Sequence, residues 1–351
     1  MIDIFLLVAA FLVILVGAEL FTNGIEWVGH RLNLAEGAVG SVLAAVGTAL
    51  PETMIPLVAL VLGGHGAETD AIGIGAILGA PFMLATLALF VTGAAVLQAA
   101  RRRRLGPVLD LDAIVLSKDV RFFALSYMLA IAVAFVPVAW WPVRPAAAIV
   151  LVLLYVIYVR AHLRGEPTEI DRRNVGPLRL HRLDQPGHRA DPQTPRLRVI
   201  YLQVFIALAC IMVGALVFVR AVEDLSLALG VAPIFLALVV APIATELPEK
   251  ANSVIWVRQS KDTLALGNIT GAMVFQACIP TVIALLLAPE AWSVSDSGLP
   301  FASAVIAFLS TAVVFLPLAQ GGVLTGRRML WGGVFYVAYI LLVGTKVAGL
   351  W

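Results

Sequence analysis

The feature that most constrains this chain is a stretch that it contains twice. Residues 47–52 read Gly-Thr-Ala-Leu-Pro-Glu and residues 244–249 read Ala-Thr-Glu-Leu-Pro-Glu. Thr48 and Thr245, Leu50 and Leu247, Pro51 and Pro248, and Glu52 and Glu249 therefore all lie 197 positions apart. The same offset pairs Gly17 with Gly214, Ala18 with Ala215, Phe21 with Phe218 and Glu26 with Glu223. An ungapped match of this length is an internal duplication. Each copy sets a proline and a carboxylate inside an otherwise apolar run.

Apolar runs of about 20 residues, the length of a membrane helix, recur along the whole chain. Hydrophobic residues make up 61% of it and charged residues 13%, with a mean hydropathy of +0.98. A soluble protein carries about one quarter charged residues. The chain therefore reads as an all-α polytopic membrane protein embedded in a lipid bilayer. Ten spans are expected, at 3–27, 34–64, 70–99, 119–138, 142–163, 198–220, 231–257, 262–288, 298–319 and 327–349. The first run lacks the basic region and small-residue cleavage site of a signal peptide. Residues 105–117 are too short to cross and are expected at the interface. Residues 164–197 hold five prolines and many charges, which predicts a solvated cytoplasmic linker acting as a tether.

Five spans precede that linker, in residues 1–163, and five follow it, in residues 198–351. Five is odd, so the second copy enters the membrane from the opposite face. The duplication is an inverted repeat, a plan on which alternating-access transporters are built. Twenty of the lysines and arginines fall in loops on one side and three on the other. The positive-inside bias then sets both termini outside. The compact chain, with no large regulatory domain, points to a prokaryotic inner membrane. A net charge of +2 gives no reason to expect a nucleic-acid partner. Oligomeric state is open, and a monomer is compatible with the pattern.

The repeated frame has its own chemistry. Pro51 has no amide hydrogen, so the carbonyl of Gly47 loses its helical partner and the second span is expected to break there. In lipid a freed carbonyl costs several kcal/mol unless something satisfies it. Thr48 and Glu52 are four residues apart and share the loosened face. The second copy offers the same groups from Ala244, Thr245, Pro248 and Glu249, in a seventh span expected to break at Pro242 and Pro248. Together they make an all-oxygen cage with two carboxylates, which suits a hard cation and Ca2+ above all. Softer metals prefer His and Cys. All five histidines fall in loops or at span ends, and Cys210 and Cys278 lie in apolar spans away from the motif. Ordinary kinks with structural glutamates would explain one intramembrane acid more readily than two at repeat-related positions.

These segments resemble the α-repeats of the cation/Ca2+ antiporter superfamily, which includes the Na+/Ca2+ exchangers. The first motif of that family, Gly-Thr-Ser-Leu-Pro-Glu, is GTALPE and ATELPE here. The second, Gly-Asn-x-x-Gly-Ser-Asn, stands as Gly75-Ala76-Ile77-Leu78-Gly79-Ala80-Pro81 and as Gly267-Asn268-Ile269-Thr270-Gly271-Ala272-Met273. The resemblance implies a sodium/calcium exchanger-like fold of ten helices in two inverted five-helix repeats. It implies paired glutamates that bind Ca2+, with the Thr groups and Asn268 completing the ion sites. The motif serines are replaced by Ala49 and Glu246, and Ala76, Ala80, Pro81 and Ala272 supply no side-chain oxygen. Neutral ligands for Na+ are thus missing, whereas proton coupling through the glutamates needs fewer.

Glu246 and Lys250 stand four residues apart in the order that pairs best on a helix. Either the pair neutralises itself for insertion, or the ammonium is a built-in cation in space that Na+ takes elsewhere. The expected function is a secondary antiporter that exchanges Ca2+ for Na+ or H+ by alternating access. A channel-like or inactive relative, or an exchanger for another hard cation, is the alternative. The chain carries no HExxH, no nucleophile elbow and no mid-span histidine, so an enzyme is not expected. Glu52 and Glu249 are expected to face each other near the bilayer midplane. The first and sixth spans, with the Gly17/Gly214 match, are expected to slide against the rest.

Overall fold

The computed structural model describes residues 2–32, 38–62, 67–164, 176–183, 195–229, 246–294 and 298–347. The described residues form helices joined by short loops, with one isolated β-bridge, Val108 to Thr325. The first span is Ile2–Leu32 and the sixth is Leu197–Leu229, the two longest helices. The second span runs through a π-helical turn Val39–Ala44, then Ala45–Thr48, then Leu50–Leu62. The third combines Ala67–Met83, a π turn Leu84–Ala88 and Leu89–Ala99. The fourth and fifth are Ala113–Ala134 and Val143–Leu163. Of the seventh, Leu247–Arg258 is described as helix. The eighth is Asp262–Leu287 and the ninth Gly298–Ala319; the tenth joins Gly326–Met329 to Trp331–Val347.

Among the described residues, seven helices are long and apolar enough to cross a membrane, or eight if the bent second span counts as one. The fourth span escapes that criterion because Lys118, Asp119 and Arg121 crowd its start. The seventh escapes it because its first half, with the expected break at Pro242, lies outside the described residues.

The duplication has a geometric counterpart. A Cβ on Gly17 would meet Ile211 Cγ1 at 2.9 Å and the Ala207 carbonyl at 3.1 Å. A Cβ on Gly214 would meet Ile14 Cγ1 at 2.7 Å and the Ala10 carbonyl at 3.1 Å. Ile14 and Ile211, like Ala10 and Ala207, are again 197 apart, so each helix meets the other as it is met itself. Later residues of one helix touch earlier residues of the other, so the two run antiparallel. That combination is a two-fold axis across the helices, the signature of an inverted repeat. The close approach needs glycine, as in other helix contacts within lipid.

The spans differ in depth. Only 24% of the first apolar window and 35% of the sixth is buried, against 83% of the third and 78% of the eighth. The first and sixth spans form an outer pair beside a bundle centred on the eighth, which touches the second, third, fourth, fifth and seventh.

Three expectations need correction. The helix of the second span breaks at Ala49 (φ −83°, ψ 3°), with a 48° bend, and Pro51 sits in the first turn of the next segment. A proline is tolerated there, because a first-turn amide has no helical partner to lose. Residues 105–117 are not one interfacial segment, since Asp112 caps the fourth span by accepting from Ile114 N at 2.9 Å and Val115 N at 3.1 Å. The loop before it joins the two halves: Arg103 pairs with Asp262 and also reaches the Val257 carbonyl. The Leu109 and Gly326 amides donate to the Leu324 and Pro107 carbonyls.

The linker is also more than a solvated tether. Leu178 is buried with Trp27, Val199 and Ile200. Trp27 Nε1 donates to the Gly176 carbonyl at 3.1 Å, and the Leu180 amide donates to Gln203 Oε1 at 2.8 Å. Residues 176–183 thereby strap the first and sixth spans together. The hydrophobic fraction of the linker is too low to reveal one buried leucine.

Candidate cation site

Both copies of the motif break the backbone in the same way. Glu246, 197 residues after Ala49, has φ −84° and ψ 6°, within a few degrees of Ala49. New helical segments begin immediately after, at Leu50 and Leu247. Glu52 and Glu249 thus occupy the first turns of two half-helices, whose amino ends carry partial positive charge that favours carboxylates. On the other side of the break at Ala49, the Ala45–Thr48 turn ends in carbonyls, and such ends attract cations.

Glu52 is 3% exposed and Gly47 and Thr48 are buried. Thr48 Oγ1 lies 3.2 Å from Asn268 Oδ1 and 3.0 Å from the Ala44 carbonyl. The hydroxyl has one hydrogen and gives it to one of these, which leaves its lone pairs for an ion. Asn268 is fully buried, and its amide nitrogen lacks a hydrogen-bond partner among the described residues. The structure therefore brings together Thr48 from the first repeat and Asn268 from the second, one helical turn from Glu52. Ala244 and Thr245 lie outside the described residues, as does the side chain of Glu249.

Glu246 is completely buried, and its Oε2 lies 3.0 Å from Lys250 Nζ, which is itself buried. Its Oε1 has no hydrogen-bond partner among the described residues. Where the family motif has a serine, this chain holds an internal ion pair at the backbone break.

Two buried polar groups escaped the sequence reading. Gln276 lies eight residues after Asn268 on the same face of the eighth span, fully buried with neither amide atom hydrogen-bonded among the described residues. The spacing from Asn268 was the available signal. Asp119, completely buried, lies 3.0 Å from Ser41 Oγ, 2.6 Å from Thr270 Oγ1 and 2.9 Å from Tyr158 OH. It stands nearly two turns inside the fourth span, which starts at Ala113 and not at the expected residue 119, so by sequence it reads as a loop-edge charge.

An inverted repeat of broken helices, with carboxylates and neutral oxygens gathered at the breaks, defines a secondary membrane transporter for cations. The comparisons with known proteins agree. The profile of the sodium/calcium exchanger protein family matches residues 2–163 and 199–348, and the chain belongs to that family. Its members are transporters, not enzymes. The inner membrane protein YrbG of Escherichia coli is 24% identical over 342 residues, covering 94% of this chain and 96% of its own. The uncharacterized membrane protein MJ0091 of Methanocaldococcus jannaschii is 22% identical over 264 residues, or 73% and 72% of the two chains. Among solved structures, the H+/Ca2+ exchanger CAX aligns with a TM-score of 0.76 at 15% identity, over 97% of this chain and 82% of that one. The sodium-calcium exchanger NCX_Mj aligns with a TM-score of 0.61 at 16% identity, over 97% of both. At such identities the likeness establishes the fold: ten helices in two inverted repeats.

Proposed function

We propose that this protein is a Ca2+ antiporter, built of repeats 1–163 and 198–351 with the linker 164–197 on the cytoplasmic side and both termini outside. Glu52 and Glu249 are the main carboxylate ligands of Ca2+. Thr48, Thr245, Asn268 and the Gly47 and Ala244 carbonyls supply neutral oxygens. The observation that carries the reading is the matched break at Ala49 and Glu246, which sets both carboxylates at half-helix starts. Protons are the favoured coupling ion. Ala49, Ala76, Ala80, Pro81 and Ala272 offer no side-chain oxygen to Na+, and Lys250 already holds Glu246.

Ca2+ uptake into proteoliposomes tests this, first under an imposed pH gradient and then under an imposed Na+ gradient. The pH gradient should drive uptake and the Na+ gradient much less. Steep Na+-driven flux indifferent to pH would overturn the proton assignment. Uncoupled Ca2+ leak, or none, would overturn antiport itself.

A further inference from the structure

Asp119 sits among four spans and takes no part in the site just described. Ser41 of the second span and Thr270 of the eighth address its Oδ2, while Tyr158 of the fifth addresses Oδ1. His162 Nε2, in the last turn of the fifth span, stands 2.9 Å from Oδ1, an ion-pair distance without hydrogen-bond alignment. All five residues are at most 3% exposed. His162 is flanked by exposed Arg160 and Arg164 at the end of its helix, so it is the member nearest water.

We propose that Asp119 and His162 form a proton-binding site, separate from the Glu52 cluster, whose occupancy sets the hold on the second span through Ser41. Three observations support it. The first is packing: a Cβ on Gly271 would clash with the Ser41 carbonyl, so the eighth span presses directly on the turn that carries Ser41. The second is chemistry, since a histidine at the carboxylate suits a proton and changes charge near neutral pH.

The third is that the hydroxyls have alternatives. Thr270 Oγ1 is also 2.9 Å from the Leu266 carbonyl, and Tyr158 OH is 3.0 Å from the Ser41 carbonyl. With Asp119 ionised they donate to it; with its charge neutralised they can turn to these carbonyls. Those two hydroxyls then stay satisfied in both states, while Ser41 Oγ depends on Asp119. On its own helix Asp119 is flanked by half-buried Lys118 and exposed Arg121. The ninth span, packed on the fourth, carries no charged residue. On the eighth, Asp262 is paired with Arg103 and Cys278 lies 3.2 Å from Ser126 Oγ. On the fifth, the remaining titratable groups are Arg144, bound to carbonyls at the opposite end, and Tyr155.

The consequence runs along the second span. Ser41 lies in the π turn that leads into Ala45–Thr48 and the break at Ala49. π turns are strained elements often found at functional sites. Releasing or tightening Ser41 biases the first leg of the helix that carries Thr48. The transport consequence rests on the antiport reading; proton binding does not.

The test uses the full-length protein labelled with 15N-histidine in lipid nanodiscs, with the His162 signal assigned by its loss in His162→Gln. The His162 ring nitrogens should change shift between about pH 5 and pH 9. Asp119→Asn, which removes the carboxylate, and Tyr158→Phe, which removes a donor to it, should each displace the midpoint of that change. In proteoliposomes, His162→Gln and Ser41→Ala should each flatten the pH dependence of Ca2+ flux on the His162 side, with the KM for Ca2+ retained. Ser41→Ala should leave the His162 titration in place. A His162 signal constant over the range, or a midpoint that moves in neither variant, would overturn the site. An unchanged flux profile in both transport variants would overturn its link to the second span. Absence of Ca2+ flux in the unaltered protein refutes the antiport reading alone, and the nitrogen titration still decides the site.

Discussion

Replacing Lys250 by methionine keeps the length of the side chain and removes its charge. In the native protein the ammonium lies 3.0 Å from Glu246 Oε2, with side-chain exposures of 7% and 0%. Removing one partner of a buried pair strands the other, at a cost of about 3–5 kcal/mol. Taking about 3 kcal/mol, and about 1.4 °C per kcal/mol for a chain of 351 residues, Tm should fall by about 4 °C. Glu246→Gln combined with Lys250→Met leaves two neutral groups and should recover most of the loss, so the two changes are strongly non-additive. The same argument makes the single variant responsive to cations. If Na+ takes the place of the ammonium, Na+ at ten times its Kd should restore about 1.4 kcal/mol. Fluorescence-detected thermal unfolding in detergent, with Na+ titrated against choline, reads both effects. An unchanged Tm in Lys250→Met, or additive losses in the double variant, would refute the buried-pair reasoning. An equal Na+ response in the unaltered protein would refute the idea that Lys250 occupies a cation position.

Glu52→Gln and Glu249→Gln should each abolish Ca2+ flux while leaving size-exclusion behaviour intact; flux near the native rate in either would remove that residue from the ligand set. Phe21→Cys with Met54→Cys, in a Cys210→Ser background, joins the first and second spans within one apolar cluster once a bifunctional linker is added. Exchange should stop on linking and return on cleavage if the outer pair slides. Gly271→Ala should cost about 1–3 kcal/mol by overpacking, because its Cβ meets backbone rather than a yielding side chain. A native Tm in that variant would show that the π turn yields.

Much of this architecture is legible in the sequence because the bilayer leaves so few options. Once apolar runs of about 20 residues are counted, the backbone must be helical. The odd number of spans per repeat then fixes the inversion without any contact information. Ligand candidates within the repeated frame were legible for a related reason, since an acid in an apolar run has few explanations. Pairings set by tertiary packing were not. Asp119 looks like one of three charges at a helix start, and nothing in its neighbourhood names Ser41, Thr270 or His162 as partners. The break falls at Ala49 rather than Pro51 because a proline ring crowds the turn that precedes it, which displaces the distortion toward the amino end. Leu178 is one leucine in a charged linker, and its burial depends on Trp27 and Val199, far away along the chain.

The frame is symmetric and the charges laid on it are not. Ala49 and Glu246 share one backbone geometry, yet one is apolar and the other half of an ion pair. Across the two motifs, Glu52, Glu249 and Glu246 carry three negative charges and Lys250 one positive, a formal balance of −2. One Ca2+ neutralises that balance completely. When Ca2+ leaves, two monovalent cations restore the same neutrality, whereas a site without Lys250 would call for three. A buried cluster is strongly penalised for uncompensated charge, so the states that cross the membrane should be the neutral ones. If the proposed proton-coupled antiport holds, the charge count predicts exchange of one Ca2+ for two protons with no net charge moved. Ca2+ flux driven by a fixed pH gradient should then be indifferent to a membrane potential set with valinomycin and K+. In Lys250→Met, where a third monovalent ion must enter, flux should become potential-sensitive, with an inside-negative potential accelerating the direction that carries net positive charge inward. Potential-dependent flux in the unaltered protein would show that Lys250 does not complete the charge balance.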